Sequence, residues 1–95
     1  MKFMLIFTRT PDSQTRVAVI ARFQKTGGLP SEAEGVKLLG RWTRADLSGG
    51  FALLETDDPK RLAEFAYLWS DLMDLKIFPV LDDQELMATL QKVVK

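Results

Sequence analysis

This chain of 95 residues contains no cysteine and no histidine. The missing thiol excludes a disulfide scaffold, a thiolate metal site and a cysteine nucleophile, and makes a reducing cytoplasm the natural setting. The missing imidazole removes the commonest general base at neutral pH and the commonest zinc ligand. A dominant charge is lacking as well. Thirteen basic residues balance 13 acidic ones with no long run of either sign, which argues against a nucleic-acid footprint and against an anionic membrane surface. Long apolar runs are also absent: the stretch from Phe3 to Phe7 has five residues after one lysine, too short for a signal-peptide core or a bilayer span. The expectation is one cytoplasmic domain over residues 1–95, with no nucleic-acid or membrane partner and no metal or cofactor. A domain this short buries only roughly 60 to 65% of its unfolded surface, so its stability margin is thin.

What is present reads as alternating strands and helices. KFMLIFT at 2–8 is rich in aromatic and branched residues and is closed by Thr10-Pro11-Asp12, a strand followed by a turn. It is apolar on both faces, Phe3, Leu5 and Phe7 against Met4 and Ile6, as a central strand is. Ser13 to Lys25 places Val17, Ile20, Ala21 and Gln24 on one helical stripe that Val19 and Phe23 widen. Asp12 or Ser13 is positioned to cap it and Gly27-Gly28 to stop it. Leu29 to Gly35 reads as a loop. Val36 to Thr43 alternates, with Val36, Leu38, Gly40 and Trp42 on one face and Lys37, Leu39, Arg41 and Thr43 on the other, a strand near an edge. A turn at Arg44 to Ser48 with Gly49-Gly50 leads into Phe51 to Glu55, again apolar on both faces, and the two strands form a hairpin. Asp58-Pro59 opens a helix whose Leu62, Phe65, Ala66, Trp69, Leu72 and Met73 recur at the helical period. DLKIFPVL at 74–81 is a strand that Pro79 confines to an edge or an end. Asp82 to Glu85 resembles a capping box before a last helix striped with Leu86, Met87, Leu90, Val93 and Val94.

The order β-α-β-β-α-β-α closes into an α+β, ferredoxin-like βαββαβ fold with a four-stranded antiparallel sheet of order 4-1-3-2 plus a C-terminal helix. The central places fall to the two strands that are apolar on both faces. Two helices cover one face of such a sheet, and the other would present apolar side chains to water. A second copy packed sheet to sheet covers it, giving a homodimer; the competing cover is the C-terminal helix folded back.

GVKLLGRW at 35–42, GFALLETDDP at 50–59 and WSDLMDLKIFPVLDDQE at 69–85, in this order and spacing and with the opening MKFM, resemble the domain of unknown function 3303 family of short bacterial proteins. The resemblance spans nearly the whole chain and implies a fold, the dimeric α/β barrel in which two ferredoxin-like sheets face each other. That wider group includes cofactor-free oxygenases, isomerases, haem-degrading enzymes and ligand-sensing domains, so fold kinship does not choose an activity. The family pattern often carries a histidine after the tryptophan of GRW, where this chain has Thr43, and a histidine-based role does not carry over.

Arg41-Trp42-Thr43-Arg44 at the end of the second strand is the leading candidate site, since a guanidinium forks onto carboxylates and an indole offers a flat wall with one donor. The plainer readings are an interface or core tryptophan and an ion-paired edge arginine. Arg9, ending the first strand, could join Arg41 as an anion-binding spot. Tyr67 beside the apolar stripe of the second helix has a polar handle, whereas Trp69 within the stripe reads as core. Asp57-Asp58 and Asp82-Asp83 are carboxylate pairs of a kind that attracts hard cations, yet both precede helices, where capping accounts for them. The serines lack a base and a nucleophile elbow.

Arg9, Arg41, Trp42, Thr43 and Tyr67 are thus the candidate ligand-binding residues. Three readings stay open: a homodimer binding a small, partly apolar molecule between its sheets, an interaction protein with a filled interface, or a cofactor-free oxygenase- or isomerase-like enzyme.

Overall fold

The computed structural model describes residues 1–9, 12–28 and 35–94. Its elements run β1 Lys2–Arg9, α1 Ser13–Thr26, β2 Lys37–Thr43, β3 Gly49–Glu55, α2 Pro59–Trp69, β4 Met73–Val80 and α3 Asp83–Val93. Thr10-Pro11 and most of the loop read at 29–35 lie outside the described residues.

The four strands form one antiparallel sheet of order β2-β3-β1-β4. This is the expected ferredoxin-like order, with β1 and β3 central and Pro79 on the edge strand β4. The register aligns Leu5 with Ala52 and Ile77, and Phe3 with Leu54 and Pro79. Phe3, Leu5, Ala52 and Leu54 therefore share the face on which Leu62, Phe65 and Trp69 of α2 complete the buried core. Met4, Ile6, Phe51, Leu53 and Phe78 share the opposite face, with no described helix over it.

Caps set the helix starts as the sequence indicates. The Asp12 carboxylate accepts from Thr15 N at 2.6 Å and from Thr15 Oγ1 at 2.7 Å. Asp58 accepts from Lys60 N at 3.1 Å, with Pro59 at the first helical position. Asp82 and Glu85 form a full capping box, Glu85 N donating to Asp82 at 2.8 Å and Asp82 N to Glu85 at 3.1 Å. Capping thus accounts for Asp58 and Asp82, and no three carboxylates among the described residues gather as a cation site.

Three expectations are corrected. The second helix stops at Trp69, and Met73 opens β4 instead of closing the apolar stripe. The stripe of α1 is turned: Val17 and Ile20 face solvent, while Thr15, Ala18, Val19, Arg22 and Thr26 face inward. The physical reason is Arg22, whose long stem and planar head pack inward where hydropathy alone would not put them. In β2 the pairing passes from Leu38 opposite Leu54 to Gly40 opposite Leu53, leaving Leu39 as an extra residue in a bulge. A bulge shifts every later side chain to the other face. Leu38 and Trp42, expected together, are parted, and Arg41 and Thr43 turn toward the helices.

α3 does not fold back over the sheet. None of its residues is buried, and the molecule extends 55 × 28 × 18 Å with a radius of gyration of 15.4 Å. No described helix is long and apolar enough to cross a membrane.

Candidate functional site

The bulge at Leu39 carries the Arg41 side chain to the covered face, where α1 ends. There Gly27 takes the left-handed C-cap conformation (φ 74°) and Gly28 follows with φ 57°, which leaves two carbonyls pointing off the helix end. Arg41 Nη1 donates to Gly28 O at 2.6 Å and Nη2 to Gly27 O at 3.2 Å, and its guanidinium lies 4.9 Å from the centre of the Phe23 ring. At the far end of β1, Arg9 Nε donates to Leu47 O at 2.7 Å, tying β1 to the β2–β3 turn. That turn is shaped by Asp46, whose carboxylate accepts from Ser48 N, Ser48 Oγ and Arg44. These bonds, those from Ser48 first, hold the Asp46 carboxyl below the usual carboxylate range.

Between these two arginines, under α1 and α2, lies a cavity of about 210 Å³. The sheet contributes Leu5, Phe7 and Leu75 to its wall, the helices Val19, Phe23 and Trp69. Leu47 adds a side chain from the turn although its φ of 61° lies in the left-handed region; a leucine there is strained by about 1 to 2 kcal/mol where glycine would be free. Trp69 is only 5% exposed, and its Nε1–H, fully buried, has no hydrogen-bond partner among the described residues. A buried donor left unpaired costs about 1 to 3 kcal/mol.

Over this cavity α1 is held chiefly by polar clasps. Arg22 Nη1 donates to Asp71 Oδ1 and Nη2 to Asp71 Oδ2, each at 2.8 Å; Nη1 also reaches Leu68 O at 2.9 Å. The same guanidinium sits 5.2 Å from the centre of the Trp69 ring. Those bonds from Arg22 hold the Asp71 carboxyl below its ordinary range.

The sequence-derived candidates are therefore divided. Arg9, Arg41 and Thr43 line the cavity. The register puts Arg9 two strands across and four residues along from Arg41, about 16 Å between backbones, and both turn donors onto carbonyls, so they stand at separate places on the wall and do not make one anion clamp. Trp42 projects from the opposite face, 54% exposed, its ring 5.5 Å from that of Phe51. Its indole lies across Gly40, where a Cβ would come within 2.6 Å of Cη2. Tyr67, 80% exposed, stands on the outer side of α2. Trp69, Phe23, Leu47 and Arg22 were missed as site residues. Trp69 fell within an apolar stripe, and only its indole donor could have flagged it.

Residues 1–94 match the family described as Domain of unknown function (DUF3303). The chain belongs to the DUF3303 family. No curated protein matches this DUF3303 member. Among solved structures, it is similar to Rv0793 from Mycobacterium tuberculosis at 15% identity and a TM-score of 0.57, with 87% of this chain and 98% of that one covered. It is also similar to a candidate antibiotic biosynthesis monooxygenase from Nitrosomonas europaea at 11% identity and a TM-score of 0.54, over 86% of this chain and 100% of that one. At such identities the likeness is one of fold.

Proposed function

We propose that this DUF3303 protein is a small-molecule-binding module whose ligand, mostly apolar and about the size of one or two rings, seats between the helices and the sheet of each protomer. The observation that carries this reading is the cavity of about 210 Å³, walled by Leu5, Phe7, Val19, Phe23 and Leu75. An engineered apolar cavity of about 150 Å³ takes up benzene, so the space suits a somewhat larger molecule. It lies on the helix side of the sheet, whereas the sequence reading looked for a ligand between two sheets. Thr43, Arg9 and Arg41 supply the polar points of the wall, the usual composition of a ligand site.

Two copies associate, in this reading, through the open faces of their sheets. Met4, Ile6, Trp42, Phe51 and Phe78 make that face an apolar surface too continuous to stand in water. Cytoplasmic residence rests on the cysteine-free composition. An oxygenase without cofactor is the second reading, favoured by the fold shared with the Nitrosomonas europaea protein. It is the weaker one because, among the described residues, no carboxylate, histidine or cysteine lines the cavity to act as a general base.

The test uses Trp42→Phe, which leaves Trp69 as the single indole. Benzene and cyclohexanone are titrated while the Trp69 indole N–H signal is followed by NMR. A saturable shift that disappears when Val19→Phe fills the cavity supports the binding module. A linear response, or one indifferent to Val19→Phe, removes it.

A further inference from the structure

α3 is a helix with nothing to pack on. Its apolar stripe, Leu86, Met87, Leu90 and Val93, continued by Val94 just beyond it, is 38 to 70% exposed, and none of its residues is buried in the protomer. Yet the sequence specifies it strongly, through the Asp82–Glu85 capping box and the acidic first turn of Asp83 and Glu85. A helix of 11 residues is marginal in water by itself, and such helices hold through the packing of their apolar face. In the protomer no residue of that face is buried. Its radius of gyration, 15.4 Å, exceeds the roughly 12 Å of a compact domain of this length, because α3 stands away from the body.

We propose that α3 is an arm that closes over a second copy of this chain, each protomer's stripe packing against the other's sheet and completing the dimer. This inference rests on the dimer in the binding-module reading and goes beyond it by naming a segment. The area argues for the second copy as occupant. Four strands at about 4.8 Å spacing and about 23 Å length give a sheet face of roughly 450 Å², near half of the roughly 800 Å² per partner that a stable interface buries. One face of α3, about 16 Å long and 10 Å wide, adds roughly 160 Å², bringing each partner's buried surface to roughly 600 Å², the low end of stable interfaces. The arm starts in the right place, directly after edge strand β4, its root held to β1 by Lys2 Nζ donating to Asp82 at 3.2 Å. That pairing holds the Asp82 carboxyl below its ordinary range together with its cap bond from Glu85, the larger cause.

The experiment compares the full chain with Leu86→Lys/Leu90→Lys and with Phe51→Lys by sedimentation velocity over a range of concentrations. Neither leucine is buried in the protomer, so the double variant keeps the protomer fold, which circular dichroism checks. The expected result is a dimer for the wild type and a dissociation constant at least tenfold weaker for the double variant. A wild-type dimer that the double variant leaves unweakened, while Phe51→Lys dissociates it, overturns the arm and spares the sheet-to-sheet dimer. A wild type that is monomeric at tens of micromolar overturns both.

Discussion

The guanidinium of Arg22 and the carboxylate of Asp71 meet in a two-bond fork, 2.8 Å on each side, that joins the middle of α1 to the residue after the C-cap of α2. Val17, Ile20 and Phe23 of α1 remain largely exposed, so this fork and the Arg41 bonds to Gly27 and Gly28 do much of the work that apolar packing does elsewhere. A cavity roofed this way keeps its volume, because a helix seated by its side chains on the sheet would have filled it.

Arg22→Ala removes the fork, the bond to Leu68 and the cover over Trp69. Since the pair is partly solvated, the loss is about 1 kcal/mol, a drop in Tm of roughly 5 °C for a domain of this size. Arg22→Lys restores the charge without the fork and recovers only part of it. Thermal denaturation of the two variants decides; equal Tm values for wild type and Arg22→Ala would show that α1 is held by something else.

Acid acts on the same helix. The Asp71 carboxyl is lowered chiefly by its bonds from Arg22, and the Asp12 carboxyl chiefly by the Thr15 amide. A carboxyl lowered on folding stabilises the fold above its unfolded value, near 3.9, and that stability is lost as pH falls through the folded value. The anchoring of α1 therefore weakens as pH falls below about 4. Trp69 fluorescence in Trp42→Phe reports it, because Arg22 lies over that ring; an acid transition unchanged by Asp71→Asn contradicts the assignment.

Leu47→Gly separates stability from binding. Glycine relieves the left-handed strain at φ 61°, so the variant is as stable as the wild type or more so by up to about 1 kcal/mol. It also deletes part of the cavity wall, and affinity for a cavity-filling probe falls. Urea unfolding and probe titration read the two effects; a clear loss of stability means the Leu47 side chain is a structural prop.

Leu54→Ala probes the centre. Leu54 is 1% exposed between Phe3 and Leu38 in the register, and truncating such a residue costs about 3 kcal/mol, a large share of the stability of a small domain. A shift in urea midpoint smaller than that produced by Arg22→Ala would put the core elsewhere.

The sequence revealed what periodicity and caps encode. β1 and β3 were identified as central because Phe3, Met4, Leu5 and Ile6, and Phe51 to Leu54, are apolar on both faces, and Asp12, Asp58 and Asp82 marked three helix starts. It concealed what depends on single residues breaking a period. Nothing in VKLLGRW announces that Leu39 is surplus, and an arginine at an inward helical position reads as solvent-facing until a carboxylate such as Asp71 and an indole such as Trp69 are known to lie opposite. The site was half legible for the same reason: Arg9, Arg41 and Thr43 were found by residue type, while Trp42 and Tyr67, chosen on the same ground, stand outside the cavity.

The extra residue in β2 works as a parity switch. A chain lacking Leu39 would pair as a regular strand and keep the guanidinium on the helix side and the indole on the open face, whereas this same sequence paired without the bulge would turn the indole inward and the guanidinium outward. Relatives aligned through GRW thus present the same faces only when an added residue between Leu38 and Arg41 is taken up by a bulge. Where the count is kept and the bulge is lost, identical letters describe inverted surfaces.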